Sequence, residues 1–466
     1  MVDESIQIDR DAGKKPRLAA DKEGNEGEDI ISNMPETIIC QILSLLPTKD
    51  VLRTCVLSKD WEYKWTGIYN IDINDVQRFS LKTTRKTSVV NFVDRIFILS
   101  RNVSLKRFRL LCQQKYDARR MLTWISAALM RNVEDLEIVY NFEGVVLPRC
   151  FFDCNSLTNL KLQLPCIFRP LQNWFSKLKD LYLAKVEILN EHAPSTSQLM
   201  FEFPVLETLE LRECKWLKVD FVEINAPSLT KFNVCSNVSE IENFQMKISA
   251  AKLVKFAVSG LSLGIFDLSA SSVCCASVDF MSYACDLQGI RKNGLHARLL
   301  LKGCSGLNHL QLLTDSMEAI DQSKQGPPLP KFIMLKRLEI STRCKIEAFL
   351  EFLHSTPYLE RLRLNMWDCD DYDYDSFEPI PSCIVSHLSE VEFYGFKGMK
   401  PHVHLADFFL KNAVELKMMS GLFRKKCEER RAEKNFWARL KKVFGDGNFE
   451  VNYEIKNMAD FERLFG

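Results

Sequence analysis

Few groups in this chain have a type and spacing that suits chemistry. The densest acidic run is DCDDYDYD, Asp368 to Asp375, whose carboxylates invite a calcium ion. An EF-hand loop needs glycine at its sixth position and glutamate at its twelfth. Counted from Asp371, those positions hold Ser376 and Ser382, so the frame fails and a solvated acidic loop is the better reading. His402 and His404 offer two imidazoles but no cysteine at metal spacing, and Cys150 and Cys154 also lack partners at zinc-site spacing. No glycine-rich phosphate loop, nucleophile elbow or paired histidine–glutamate motif occurs. The expectation is therefore no catalytic residue, no metal and no cofactor, although a site gathered from distant residues leaves no such trace.

What remains is the chemistry of association. The stretch LSKDWEYKW, Leu57 to Trp65, places two of the seven tryptophans four residues apart among charged residues. That spacing is about one helical turn, which puts both rings on one side of a helix. They are either the private core of a small cap or the frame of a docking surface for another protein.

Such residues need elements to position them, and 466 residues suffice for two to four ordinary domains or one elongated repeat domain. With 62 basic and 61 acidic residues the net charge is +1, which gives no global drive toward nucleic acid or an anionic membrane. The first residues are acidic and polar, so no secretory signal is expected. No apolar run reaches spanning length; the nearest, Phe256 to Val278, is cut by Asp267. Sixteen cysteines lie singly at irregular spacing. They read as reduced core residues of a cytosolic or nuclear protein.

Residues 1–28, rich in Asp, Glu, Lys and Gly, are expected to be a disordered tail. Its GKKPR stretch is either a nuclear import signal or a chance basic run. Pro35 then suits the first turn of a helix carrying Ile38, Ile39, Ile42, Leu43 and Leu46, and Pro47 stops it. Thr48 is a candidate N-cap for a second helix with Val51, Leu52, Cys55 and Val56, and Ser58 for a third with Trp61 and Trp65. So small a bundle has more apolar surface than its interior needs, and must pack on a partner and on the next domain. A linker helix runs from about Ser88 to Asn102.

From Leu105 one pattern recurs: an apolar residue, two others, a second apolar, one other, a third apolar. It appears at Leu105, Val133, Leu157, Leu178, Leu206, Leu229, Leu253, Cys275, Leu307, Leu335, Leu359, Leu388 and Ala413. The starts lie about 21 to 32 residues apart, close to the leucine-rich-repeat period. The second and third apolar positions are two apart in a strand, so they face one side. One unit cannot bury them, but stacked units share a core. The exposed side of the stacked strands is a surface suited to holding a protein.

Between strands, ARRMLTWISAALMRN places Leu122, Ile125, Leu129 and Val133 on one helical face. The asparagine of regular repeats occurs only in places, as Asn141 and Asn237, with Cys214 as its cysteine variant, so an irregular solenoid is expected. A basic amphipathic helix from Leu422 to Gly445, with nine Lys/Arg and three Glu between Arg424 and Lys442, reads as a cap with Phe436, Trp437 and Leu440 turned inward. Membrane-surface or calmodulin-target binding is its alternative. FEVNYEI, Phe449 to Ile455, alternates like a strand. The basic patch from Lys106 to Arg120 reads as a solvated face.

The first module resembles an F-box, on Asp29, Ile31, Met34-Pro35, Ile38, Ile42-Leu43, Leu46-Pro47, Lys49, Thr54, Leu57-Ser58, Trp61 and Trp65. Asp60 departs from the arginine common there. The tail resembles the FBD region of a plant family, on Pro381, Cys383, Leu388, Val391, Gly395, Gly398, Phe409-Leu410, Asn412-Ala413, Leu416 and Met418. There KPHVHLAD replaces the usual acidic run. In this order the chain resembles a plant F-box/FBD/LRR-repeat protein.

The resemblance implies an α/β chain: a three-helix F-box (29–69), a helical linker (70–104), an irregular leucine-rich-repeat solenoid (105–380) and an FBD cap with the final repeats (381–466). It also implies the substrate-recognition subunit of a Skp–cullin–F-box ubiquitin ligase. Pro35, Ile38, Ile42, Leu43, Leu46, Pro47, Leu57 and Trp61 would form or support the contact with the Skp adaptor. Trp65 would brace the module on the linker after it, and the repeats would hold an unknown protein substrate. Such a subunit is not itself an enzyme; it supplies proximity. The alternative is a repeat-based scaffold or small-molecule sensor with a vestigial F-box.

Overall fold

The computed structural model describes residues 31, 34–75, 85–99, 104–169, 175–190, 197–236, 244–261, 264–269, 272–281, 286–323, 326–341, 346–365, 379–396 and 400–423. The expected tail and its GKKPR stretch, the DCDDYDYD loop, Asn237, the basic helix beyond Phe423 and the strand at Phe449 lie outside them.

The chain opens with helices α1 (Glu36–Ser44) and α2 (Thr48–Arg53). Pro35 and Pro47 occupy their N-cap positions with extended backbone; with no N–H to lose, each starts a helix cheaply. The expected third helix is instead a series of tight 3-10 turns at Thr54–Val56, Lys59–Trp61 and Lys64–Gly67. Neither Thr48 nor Ser58 caps a helix through its side chain.

The repeats build one fourteen-stranded sheet in which every neighbouring pair is parallel. Eleven of the thirteen expected motifs sit in register; the one expected at Cys275 is led instead by Val273, so that Ala276 and Val278 take the inward places beside Phe256 and Val258. A typical strand, Arg107–Cys112, buries Phe108 and Leu110 and turns Arg109 outward. Two further differences stand out. Residues 70–74, expected to open a helical linker, are the first strand of the sheet, with Ile71 and Ile73 inside. The last strand, Met418–Phe423, starts three residues later than the Ala413 motif implies, because a turn at Ala413–Leu416 precedes it. Leu422 and Phe423 belong to that strand, so no helix begins at Leu422.

The layer behind the sheet changes along the molecule. Near the N-terminus it is helical, with α3 (Arg85–Leu99) and α4 (Ala118–Leu129). Asp117 caps α4 by accepting from the N–H groups of Arg119 and Arg120. Its buried face is Met121, Trp124, Ile125, Ala128 and Leu129, with Leu122 at the flank. In the middle the backing is strand. One small sheet joins Ile167–Phe168, Glu187–Leu189 and Lys215–Leu217, and another joins Gln198–Glu202, Phe221–Asn225, Gln245–Ser249 and Ile265–Ser269. Pairs such as Val222 with Ile224 and Met246 with Ile248 are buried at a period of two, which suits a strand and not a helix. Toward the C-terminus helices return: α5 (Leu287–Lys302), α6 (Ser316–Gln322), α7 (Ile346–His354), α8 (Ser382–Ser386) and α9 (Lys400–Asn412).

Side chains between the layers form one continuous apolar core that runs from Ile39 in α1 to Met419 in the last strand. Cys214 lies inside it, its thiol directed at the Leu183 carbonyl. Asn141 does not take the buried asparagine role; it is exposed and accepts from Gln163 and Lys185.

Candidate protein-docking surface

On α1, Ile39 and Leu43 are buried while Ile38 and Ile42 are exposed. Each pair is spaced i, i+4, so the helix presents apolar stripes on two faces, and only one can meet the module's interior. The outer stripe continues with Pro35, Leu45, Leu46 and Pro47, and Leu45 is 84% exposed. Val56 and Leu57, in the first 3-10 turns, are 67% and 66% exposed, and Ile31 and Tyr63 are also open. Eight of the 23 large apolar side chains exposed among the described residues thus fall between Ile31 and Tyr63. Such concentration marks a protein-interaction surface.

The expected site residues divide. Pro35, Ile38, Ile42, Leu46, Pro47 and Leu57 are exposed, whereas Leu43 and Trp61 are buried. Leu43 and Trp61 therefore shape the module from inside. Leu45, Val56 and Tyr63 join the open surface without having been singled out by sequence; the signal for Leu45 is its place in the SLLP run, between helix end and proline. Trp65 is buried too, its indole N–H donating to the Glu62 carbonyl at 3.0 Å. Its turn packs on α1 and leads directly into the first sheet strand. Lys64 sits over the Trp61 ring, 5.1 Å from the centroid.

Two buried hydroxyl residues hold this module to the sheet. The Thr48 hydroxyl accepts from the Asp72 N–H at 2.7 Å, and the Ser44 backbone carbonyl accepts from the Asn70 side-chain amide at 3.0 Å. A cavity of about 110 Å³ lies beside this joint, lined by Thr48, Asp72, Phe92 and Arg109 among others. That is room for a few waters, well short of the several hundred Å³ of a ligand pocket.

The outward face of the long sheet is the second surface. Its central row begins as an alternating charge ladder. Arg109 meets Asp72 at 3.5 Å and Glu137 at 2.8 Å, and Lys161 meets Glu137 at 3.0 Å. Near the other end Arg363 lies between Glu339, at 3.6 Å, and Glu392, at 2.8 Å. Between these ladders the same row holds Asn233, Ala257, Ser277 and Gln311.

The chemical candidates are not assembled. His402 is buried and His404 exposed on α9, as two residues on a helix point in different directions. Cys154 is buried with its sulfur against the Ser156 hydroxyl. No cluster of metal-ligating side chains occurs among the described residues, nor does any helix there have the length and apolarity to cross a membrane.

Fold and surface together define a small helical module with an exposed apolar stripe, fused to a leucine-rich-repeat solenoid. Comparison with known proteins gives the same division. The F-box domain model matches residues 31–70, and the leucine-rich-repeat model described as "At1g61320/AtMIF1, LRR domain" matches residues 98–436. The Arabidopsis thaliana F-box/LRR-repeat protein At4g14096 is 29% identical over 349 residues, 72% of each chain. The Arabidopsis F-box/FBD/LRR-repeat protein At2g26030 is 25% identical over 417 residues, 84% of this chain and 91% of that one. The chain belongs to the plant F-box/FBD/LRR-repeat protein family.

Proposed function

We propose that this chain is the substrate-recognition subunit of a Skp–cullin–F-box ubiquitin ligase. The observation that carries the reading is the outer stripe of α1 and the turns after it, Ile38, Ile42, Leu45, Leu46 and Leu57, apolar and open to solvent on a module bonded to the solenoid. Burial of this stripe by a Skp adaptor would supply most of the docking free energy, at about 25 cal/mol per Å² of apolar surface removed from water. Through the adaptor the chain would join a cullin–RING ligase, in the cytosol or nucleus. The sheet face would hold the protein to be modified. On this reading the chain itself does no chemistry and acts by raising local substrate concentration.

Residues 381–423 contain most of the FBD-like positions. Cys383, Leu388, Val391 and Phe409 are core residues, and Gly395 adopts φ 69° where the register shifts between Tyr394 and Phe396. Such a bulge favours glycine. We propose that this region closes the solenoid as its last two turns.

The direct test is co-purification of the full-length chain with a plant Skp adaptor. Wild-type protein should retain the adaptor, and Leu46→Asp with Leu57→Asp should lose it while keeping the same circular-dichroism spectrum. Failure of the wild type to retain any adaptor of its own species would overturn the reading.

A further inference from the structure

Strand register sets Lys231 beside Lys255, Lys255 beside Cys275, Cys275 beside His309, and His309 beside Arg337. The row crosses five adjacent strands at their N-terminal ends, about 19 Å at the usual strand spacing. Lys231, Lys255 and Arg337 are exposed and form no ion pair among the described residues. The carboxylates around them are already engaged. Glu210 binds Arg212 at 2.5 Å; Glu339 accepts from Gln311 at 3.0 Å and faces Arg363 at 3.6 Å. Glu360 is paired with Lys336, and Glu390 with Arg361 at 3.0 Å. The His309 imidazole beside them is held below its ordinary pKa mainly by burial. Glu339 pulls it up, while Arg337, Arg363 and Lys255 push it further down.

This contrasts with both ends of the same sheet, where each outward cation meets a carboxylate on the next strand. An unbalanced stretch flanked by balanced ones is a surface with charge left to satisfy. Beside it the floor is low and, on four of the five strands, neutral: Asn233, Ala257, Ser277 and Gln311 leave clearance for a peptide backbone, and Glu339 on the fifth is buried and engaged. The cations stand in a line and do not converge on one point, which suits an extended chain better than a small free anion. No phenylalanine, tyrosine or tryptophan ring faces outward on these strands for bases to stack on, unlike single-stranded nucleic-acid sites.

We infer that this row docks an extended acidic segment of a protein substrate, about six residues long at 3.3 Å per residue. The inference rests on reading the solenoid as the substrate receptor, and it names the chemistry that receptor selects.

The test uses the full-length chain and fluorescein-labelled peptides of about twelve residues, alternating Glu–Ser, Gln–Ser or Lys–Ser, read by fluorescence anisotropy. The Glu–Ser peptide should bind at least tenfold more tightly than Gln–Ser. Lys231→Glu with Lys255→Glu should weaken Glu–Ser binding at least tenfold and confer binding of Lys–Ser, a gain that misfolding cannot produce. Lys177→Glu, an exposed turn lysine off the row, should change neither. Equal binding of Glu–Ser and Gln–Ser, or insensitivity to the double reversal, would overturn the inference. So would tighter binding of a single-stranded RNA or of inositol hexakisphosphate, with the same dependence on Lys231 and Lys255. Adaptor retention is measured in parallel. Adaptor binding without acidic-peptide binding sinks this inference alone; peptide binding without adaptor binding upholds the row and sinks the ligase reading.

Discussion

The hydroxyl of Thr48 accepts a 2.7 Å hydrogen bond from the backbone N–H of Asp72. Thr48 opens the second helix of the F-box and Asp72 is the central residue of the first sheet strand. The docking module and the repeats are thus bonded across a buried side chain and share one apolar core. A rigid joint fixes where the sheet face stands relative to anything bound to the module.

Thr48→Val keeps the shape but removes the acceptor. The Asp72 N–H then lacks its partner, at a cost of about 1–2 kcal/mol. Urea denaturation should show that loss. Adaptor affinity should stay within about twofold, because the outer stripe of α1 is untouched.

Contact and support should separate by mutation. Leu45→Asp, at a position 84% exposed, should weaken adaptor binding more than tenfold with little change in melting temperature. Leu43→Ala, 2% exposed, should cost about 2–5 kcal/mol of stability and reduce adaptor binding only through unfolding. Trp61→Ala belongs with Leu43. An adaptor affinity that falls more for Trp61→Ala than for Leu45→Asp, in protein that remains folded, would place the indole in the contact after all.

Arg298 is buried at 4% exposure in α5 and closes the end of α6. Its guanidinium donates to the Ile320 carbonyl at 3.1 and 3.2 Å, to the Ser323 hydroxyl at 3.1 Å and to the Pro327 carbonyl at 3.3 Å. Arg298→Met should cost about 1–3 kcal/mol by leaving those acceptors unpaired. Gly294 lies one turn earlier, where a Cβ would come within 1.9 Å of the Ala319 carbonyl oxygen. Gly294→Ala should therefore push α5 from α6, against the usual gain of alanine in a helix. Thermal melts of both variants check this.

Burial pushes the Cys166 and Cys214 thiols up to about 12, and Cys304 and Cys383 up to about 11. A thiol raised in the folded state favours folding below its unfolded pKa and loses that contribution as pH rises. Stability should therefore fall between about pH 9 and 12. At pH 8 these four should resist iodoacetamide in native protein, while the half-buried Cys55, Cys150 and Cys274 react well before them. Mass spectrometry of quenched samples reads the order directly.

Much of this architecture was legible in the sequence because one physical rule repeats. Leu136 and Ile138, or Leu362 and Leu364, must face inward together, and the period betrays them. The strand at Ile71 and Ile73 has the same spacing, led by the buried Ile68, but it follows the F-box so closely that it reads as the start of a linker. The strand backing of the middle repeats is hidden for a different reason. Val222-Glu223-Ile224 alternates over too few residues to stand out between louder leucine motifs. On the docking module the apolar stripe was readable, but not its inner and outer halves. Ile38 and Ile39 are adjacent, chemically identical and about 100° apart around the helix, and only the packing of the 3-10 turns decides which one meets water. The cationic row was out of reach, since Lys231 and Arg337 become neighbours of the same row only through strand register.

The change of backing layer has a geometric consequence. Parallel strands repeat at about 4.8 Å, whereas packed helices need 8–10 Å. Where Phe221–Asn225, Gln245–Ser249 and Ile265–Ser269 back the sheet, front and rear advance at the same pace, which favours a straight run. From α5 onward the helices need more room at the rear than the strands take at the front, which favours curvature toward the sheet side. Lys231 and Lys255 stand where strands back the sheet and Arg337 where helices do, so the cationic row spans the threshold between a plank and a hook.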